Sequence, residues 1–326
     1  MVHNYTNFTG EYIKKVTDID IAVTITTCCL SIIGALIIFI NLGRTYKRGE
    51  HISEPKKLLL YLTIADIFSA IGFLFGAIRF LYGDDISPEK VLACHKENDS
   101  GCIAQSFLTT MSSMSSFWWT SIIAFHLLWN STDQNQSGSF NQSEHARKDI
   151  QMFVYHLLSW AVPGAITITA MAKGILGSDL SVGSGAWCWI SACLSDNERT
   201  IWMAVSGKGW EILMYFSCLG FYMLLKFRQK CAMIRSRRIH AQVDSSTPLI
   251  PTSNRPNEDI RFMYLWLIEL CLRCFGTVRF IMAAIKRHTG YRSVHYEEVD
   301  IYLMHFQCFG DSAQAFCSCL IFFGFR

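Results

Sequence analysis

Long apolar runs separated by short polar gaps set the pattern of this chain. Runs of the length that crosses a bilayer, roughly 20 residues as a helix, occupy residues 19–43, 57–82, 102–129, 151–173, 200–226, 260–286 and 298–323. In hydrocarbon every backbone N–H and C=O must be satisfied within its own segment, so runs of this length predict helices. The reading is an all-α integral membrane bundle of seven transmembrane helices. No charged start or small-residue cleavage site precedes the first run, which is therefore read as a retained span and not as a signal peptide. A short tail, residues 1–18, precedes the seven-helix domain of residues 19–326, whose third cytoplasmic loop covers about 227–259.

Composition supports this division. Hydrophobic residues make up 51% of the 326 and charged residues 17%, against roughly 25% charged in an average globular protein. Six prolines and no repeat of fixed period exclude a solenoid. A net charge of +3 is too mild to imply a nucleic-acid partner.

Placement of the charges sets orientation. With the N-terminus outside, the cytoplasmic gaps hold sixteen Lys and Arg and the outer gaps nine, which is the positive-inside asymmetry. The glycosylation sequons at Asn4, Asn7 and Asn98 then fall outside, in agreement. Those at Asn130 and Asn141 fall inside and are read as chance matches in a Ser- and Asn-rich loop.

On this topology four of the thirteen cysteines, Cys94, Cys102, Cys188 and Cys193, lie on the oxidising side, where three pairings are open. Of these, Cys102 with Cys188 would tie the loop after span four across the mouth of the bundle. The remaining nine are read as packing thiols. The outer loop lacks the close spacing or supporting His of a zinc site.

The tail is too short to fold as a ligand-binding domain, so a ligand must be met by loops and bundle. On the cytoplasmic side, "FRQKCAMIRSRRIH" extends span five as a basic stretch before a Ser/Thr/Pro segment with Ser245, Ser246, Thr247 and Ser253. Positive-inside anchoring explains the basic stretch as well as partner docking does; the hydroxyls are phosphorylation candidates.

Charges within apolar runs are costly and mark function by default. Asp66, Arg273 and Asp311 fall near mid-membrane on spans two, six and seven and predict a polar centre. Lys208 and Glu211 are three apart on the outer half of span five, Glu269 and Arg273 four apart on span six, and Arg279 lies nearer the outside. Local pairing accounts for the first two sets as well as ligand binding does.

Other classes fit less well. His126 and His156 lie near cytoplasmic span ends and His305 in the outer half of span seven, so they cannot converge on one metal. Span seven has no lysine to hold retinal. A seven-helix transporter is the alternative reading, weakened because spans one to three and five to seven share no visible pattern. No enzyme activity, cofactor or metal is expected.

Four stretches carry a resemblance: "SSFWWTSIIAFHLLW" at 115–129, "YHLLSWAVPGAITI" at 155–168, "SVGSGAWCWI…IWMAVSGKGWEILMY" at 181–215 and "CLRCFGTVRFIM" at 271–282. They resemble the receptor-157 group of G-protein-coupled receptors, within the secretin-like and cAMP-receptor-like seven-helix receptors. The resemblance implies a plasma-membrane receptor that couples an unknown extracellular ligand to a heterotrimeric G protein. It gives Cys102 and Cys188 the staple positions, leaving Cys94 and Cys193 as a second pair, and puts the pocket between spans three, five, six and seven. In "DSAQAFCSCLIFF", Gln314 is kept, but Ala315 and Ser318 replace the glycine and asparagine usual near that point; Gln314 joins the polar centre. The Asp-Arg-Tyr and Asn-Pro-x-x-Tyr motifs of rhodopsin-like receptors are absent. Members of the group continue past span seven into a surface helix and tail, whereas Arg326 follows that span directly; either the gene model is incomplete there, or regulatory phosphorylation relies on the 227–259 loop. On this reading Lys208, Glu211 and Arg279 form the ligand pocket, and His126, Trp129, Arg228, Arg235, Arg237 and Arg238 the G-protein face.

Overall fold

The computed structural model describes residues 16–50, 52–82, 99–133, 142–179, 184–242, 255–289 and 294–324. Among them, helices make seven passes. Helix α1 (Asp18–Lys47) starts at Thr17, whose side chain accepts from the Asp20 N–H at 3.3 Å while the Asp20 carboxylate accepts from the Thr17 N–H at 2.9 Å. This reciprocal cap satisfies two of the donors orphaned at a helix start. The middle of the buried face of α1 is small or polar, with Thr24, Thr27, Cys28, Ser31, Gly34 and Ala35 between the larger Ile21, Ile38 and Leu42, whereas Ile33, Leu36, Ile37 and Ile40 are exposed. That inversion of a soluble helix suits a bundle whose solvent is lipid, where small residues bring backbones together.

Helices α2 (Glu54–Tyr82) and α3 (Ser100–Asp133) form the second and third passes. The fourth is α4 (Gln142–His156), a π-helical turn (Leu157–Ala161) and α5 (Val162–Ala172). Pro163, in the first turn of α5, has no N–H to donate, so the ladder is interrupted where the wider turn lies. The outer loop then forms an antiparallel ribbon of β1 (Leu176–Gly177) and β2 (Trp189–Ile190), with Leu176 opposite Ile190. The all-α expectation did not include this ribbon. The fifth pass is α6 (Asp196–Met203), a π turn (Ala204–Lys208) and α7 (Gly209–Gln242); the sixth is α8 (Arg255–Thr289). The seventh is broken into α9 (Val294–Gly310) and α10 (Gln314–Cys319), which ends in a π turn (Leu320–Gly324).

Four passes are long and apolar enough to cross a membrane on composition alone: Asp18–Lys47, Glu54–Tyr82, Arg147–Ala172 and Asp196–Cys231. The others are more polar, through the serines and threonines of α3, the Glu269, Arg273 and Arg279 side chains of α8 and the break in the seventh pass.

Helix α3 is the axis, touching α2, α5, α7 and α8. Its cytoplasmic half is apolar: Trp119 is fully buried and stacks on Tyr61 at 5.1 Å, in a cluster with Leu58, Leu62, Leu127, Tyr222 and Phe262. The outer half holds the polar groups.

Candidate functional site

The outer loop is pinned from three sides. Cys102 and Cys188 are disulfide-bonded with Cα atoms 5.6 Å apart. Beside the bond, the Cys188 N–H donates to Gln105 Oε1 at 2.7 Å and Ser106 Oγ donates to the Trp189 carbonyl at 2.5 Å. Trp187 packs edge-on against Phe73 at 4.7 Å. Further along, Asp179 accepts from the Ser184 N–H and hydroxyl at 2.9 and 2.6 Å, and Arg279 Nη1 donates to the Ser184 carbonyl at 2.8 Å. Cys193 is also in a disulfide; Cys94 lies outside the described residues, as do Asn4, Asn7 and Asn98.

Beneath this loop lies a small cavity of about 50 Å³. It is lined by Phe73 of α2, Thr110 and Phe117 of α3, Trp187 and Trp189 of the loop, Lys208 and Glu211 of the fifth pass, Arg273 of α8, and Gln307 and Asp311 of the seventh pass. Lys208 closes the π turn of the fifth pass, a local widening that often marks a functional position. Its Nζ donates to Glu211 Oε2 at 2.8 Å, and Glu211 Oε1 accepts from the hydroxyls of Tyr215, at 2.9 Å, and Thr277. Room for the ammonium comes from Gly276, where a Cβ would stand 2.8 Å from Lys208 Nζ and 3.0 Å from the Gln307 side chain.

Arg273 forms the cavity floor and the centre of a network. Its guanidinium donates to Gln314 Oε1, stands 3.7 Å from Glu269 and 4.0 Å from Asp311, and lies 4.7 Å from the Phe117 ring centre. Gln314 Nε2 donates to Glu269, Gln307 Nε2 to Asp311 Oδ2 at 3.0 Å, and Ser116 Oγ to Asp66 Oδ1 at 2.7 Å. Among the described residues Asp66 Oδ2, Asp311 Oδ1 and Thr110 Oγ1 are buried without a hydrogen-bond partner. Asp66, Arg273, Asp311 and Gln314 thus gather from α2, α8 and the seventh pass into one polar region. The break in the seventh pass falls in it. Gly310 ends α9 against α8, where a Cβ would stand 1.9 Å from the Leu272 carbonyl oxygen.

Two expectations are corrected. Arg279 does not line the cavity: fully buried, it donates to Asp300 Oδ1 at 2.9 Å, Gln307 Oε1 at 2.6 Å and the Ser184 carbonyl. Asp300 of α9 captures the charge and makes Arg279 a tie between lid, sixth and seventh passes. His126 is 5% exposed, paired with Asn130 at 2.8 Å and edge-on to the Tyr155 ring, and presents no cytoplasmic surface. Trp129 is exposed with Arg147 stacked 5.5 Å from its ring centre, and Arg228 is exposed on α7. Arg235, Arg237 and Arg238 lie further along the same helix.

Residues not singled out from the sequence include Asp300, Gln307, Thr277 and Asp179. Gln307 and Asp311 carry the i, i+4 spacing that could have flagged them.

Comparison with known proteins then decides the family. The family model for the Frizzled/Smoothened membrane region matches residues 8–244, well over half of the sequence. The chain belongs to the Frizzled/Smoothened family. It is similar to G-protein coupled receptor 157 of Mus musculus, 29% identical over 268 residues, covering 80% of this chain and 71% of that one. Against G-protein coupled receptor 157 of Homo sapiens it is 28% identical over 267 residues, covering 80% and 69%. A shorter match, 28% over 147 residues and covering 44% and 30%, is to Ascaroside receptor GPR2 of Arthrobotrys oligospora. This Frizzled/Smoothened-family chain is a multi-pass membrane receptor of the G-protein-coupled type.

Proposed function

We propose that the chain acts at the plasma membrane, N-terminus outside, and turns binding of an extracellular ligand into activation of a heterotrimeric G protein. The observation that supports this best is the double position of Arg273, which lines the outer cavity and also joins α8 to both halves of the broken seventh pass. A ligand that changes the contacts of Arg273 or Asp311 has differential affinity for two arrangements of α8, which is what a receptor needs to shift a population. At the other end, the Tyr222 hydroxyl donates to the Phe262 carbonyl at 2.8 Å and holds α7 to α8. Outward movement of α8 breaks this contact and opens the apolar cytoplasmic cluster. Trp129 and the basic end of α7, whose sequence carries Arg228, Arg235, Arg237 and Arg238, are the candidate docking face at that end. The missing Asp-Arg-Tyr and Asn-Pro-x-x-Tyr motifs favour activation mechanics closer to the secretin-like and cAMP-receptor-like receptors than to rhodopsin-like ones.

The test is expression in cells carrying dissociation sensors for each G-protein class. One class is activated in proportion to receptor density, and Arg235→Ala, Arg237→Ala and Arg238→Ala together lower that signal by roughly tenfold at equal surface level. Solute uptake by the chain in cells lacking G proteins, with no sensor response, overturns the reading.

A further inference from the structure

We propose that a second cavity, at the cytoplasmic ends of the first, second, sixth and seventh passes, binds the phosphorylated headgroup of an inner-leaflet phosphoinositide. The cavity has a volume of about 210 Å³, and its walls carry Asn41 and Thr45 of α1, Lys56 of α2, Arg261 of α8 and Phe322 of the seventh pass. Two cations from different helices therefore face one small space. No carboxylate is among the described residues that line it. In the adjoining segment Glu54 is engaged by Lys57 at 2.9 Å, and Glu50 stands 3.9 Å from Arg48. Like charges gathered at the edge of a bilayer repel, and a ligand with concentrated negative charge reverses the sign of that interaction. Basic pockets between helices on the cytoplasmic side suit anionic lipid headgroups for this reason. Arg261 Nη1 donates to the Phe322 carbonyl at 3.3 Å, which orients the guanidinium on the cavity wall. Its planar fork matches a pair of phosphate oxygens, and Lys56 adds a point charge from the opposite helix.

The surface of α1 says that the anion arrives on a lipid. Ile33, Ile37, Asn41 and Thr45 follow one another at four-residue spacing and so lie along one side of the helix. Ile33 and Ile37 are exposed, whereas Asn41 and Thr45 line the cavity. Apolar surface toward the bilayer centre, then polar surface at its edge, is the profile of a phospholipid with acyl chains on the isoleucines and its headgroup among the cations. Asn41 Nδ2 donates to the Ile37 carbonyl at 2.9 Å and Thr45 Oγ1 to the Asn41 carbonyl at 3.1 Å. Both side chains are thus spent as donors to α1 and present oxygens that accept from ring hydroxyls, which inositol supplies. A phosphate monoester on the ring carries about −1.5 to −2 charge. Phosphatidylserine instead brings an ammonium that Lys56 and Arg261 repel. The orientation with the N-terminus outside supplies the leaflet; the inference does not otherwise use the receptor reading.

The experiment is native mass spectrometry of the full chain in detergent micelles, titrated with dioctanoyl phosphatidylinositol 4,5-bisphosphate, dioctanoyl phosphatidylserine or lipid-free inositol 1,4,5-trisphosphate. The phosphoinositide binds one per chain, and each of the other two binds at least roughly tenfold more weakly. Lys56→Gln with Arg261→Gln, the latter keeping a donor for the Phe322 carbonyl, lowers phosphoinositide affinity by at least about tenfold. Lys47→Gln with Arg48→Gln, on the exposed end of α1 and outside the cavity, lowers it several-fold less. Thr45→Phe fills the cavity with every charge in place and lowers it by at least about fivefold, which decides the matter if the charge variant does not fold. Equal affinity for phosphatidylserine or for the lipid-free headgroup overturns the proposal. So does full affinity in Thr45→Phe, or a loss in the Lys47 and Arg48 variant as large as that in the Lys56 and Arg261 variant, which marks general attraction to a basic face. Binding in micelles does not depend on which way the chain is inserted or on a G protein, so it stands or falls separately from the receptor reading.

Discussion

At the scale of single residues, Arg279 shows what a buried charge in this bundle depends on. It is fully buried, and its partner Asp300 nearly so, at 2.9 Å. Removing one member of such a pair leaves an uncompensated charge, a loss of about 3–5 kcal/mol, whereas replacing both by apolar residues of similar volume is often near neutral. Arg279→Met is therefore expected to lower the thermal midpoint and surface level sharply, and Arg279→Met with Asp300→Leu to recover most of both. If the double variant is as unstable as the single one, the bonds to Ser184 and Gln307 hold this region and the ion pair does not. The residue-scale reading of the sequence succeeded and failed along this line. Lys208 with Glu211 and Glu269 with Arg273 were legible because three- and four-residue spacing puts side chains on one helix face. Arg279 with Asp300, and Arg273 with Gln314, depend on the register between two helices, which no single-helix periodicity contains. His126 was misplaced for the same reason. The side of the helix it occupies is set by packing against Tyr155.

Elements were legible where lipid imposes a rule on the whole segment. Each run of about 20 apolar residues became a helical pass, whole or interrupted, and the passes exceed the runs mainly at polar ends, where backbone ladders continue into the gaps. The π turns at Leu157–Ala161 and Ala204–Lys208 and the break after Gly310 left no such trace, because one extra residue in a turn does not alter composition. Pro163 was the only local hint. The turn at Ala204–Lys208 nevertheless aims the site. Residues on its outer side carry the lid, and those on its inner side carry Glu211. Deleting Val205, which is 42% exposed, turns the π turn into an α turn and rotates the two parts by about 100° relative to each other. Helix content by circular dichroism should stay unchanged, while the cavity loses its Lys208 to Glu211 arrangement and the G-protein sensor response falls to background. A receptor that signals normally after the deletion would show that the phase of the fifth pass does not matter to the site.

For the whole molecule, orientation decides which cavity meets the ligand, and three independent features depend on it. Sixteen Lys and Arg lie in the gaps assigned to the cytoplasm against nine outside. The disulfide between Cys102 and Cys188 joins segments assigned to the oxidising face, and the apolar cytoplasmic cluster sits at the opposite end from the charged cavity. Reversing the chain would put a disulfide-bonded loop in a reducing compartment and the basic extension of α7 outside. The sequons separate the two cases directly, because glycan transfer occurs only on the lumenal side. Expressed in mammalian cells, the chain should lose mass on treatment with an N-glycosidase, and Asn4→Gln, Asn7→Gln and Asn98→Gln together should abolish that loss. Asn130→Gln, Asn141→Gln and, at the third sequon of that loop, Asn135→Gln should leave it unchanged. A glycan that disappears with Asn141→Gln and survives the triple change would place the 227–259 segment outside, and with it the basic face would cease to be a docking surface for any cytoplasmic partner.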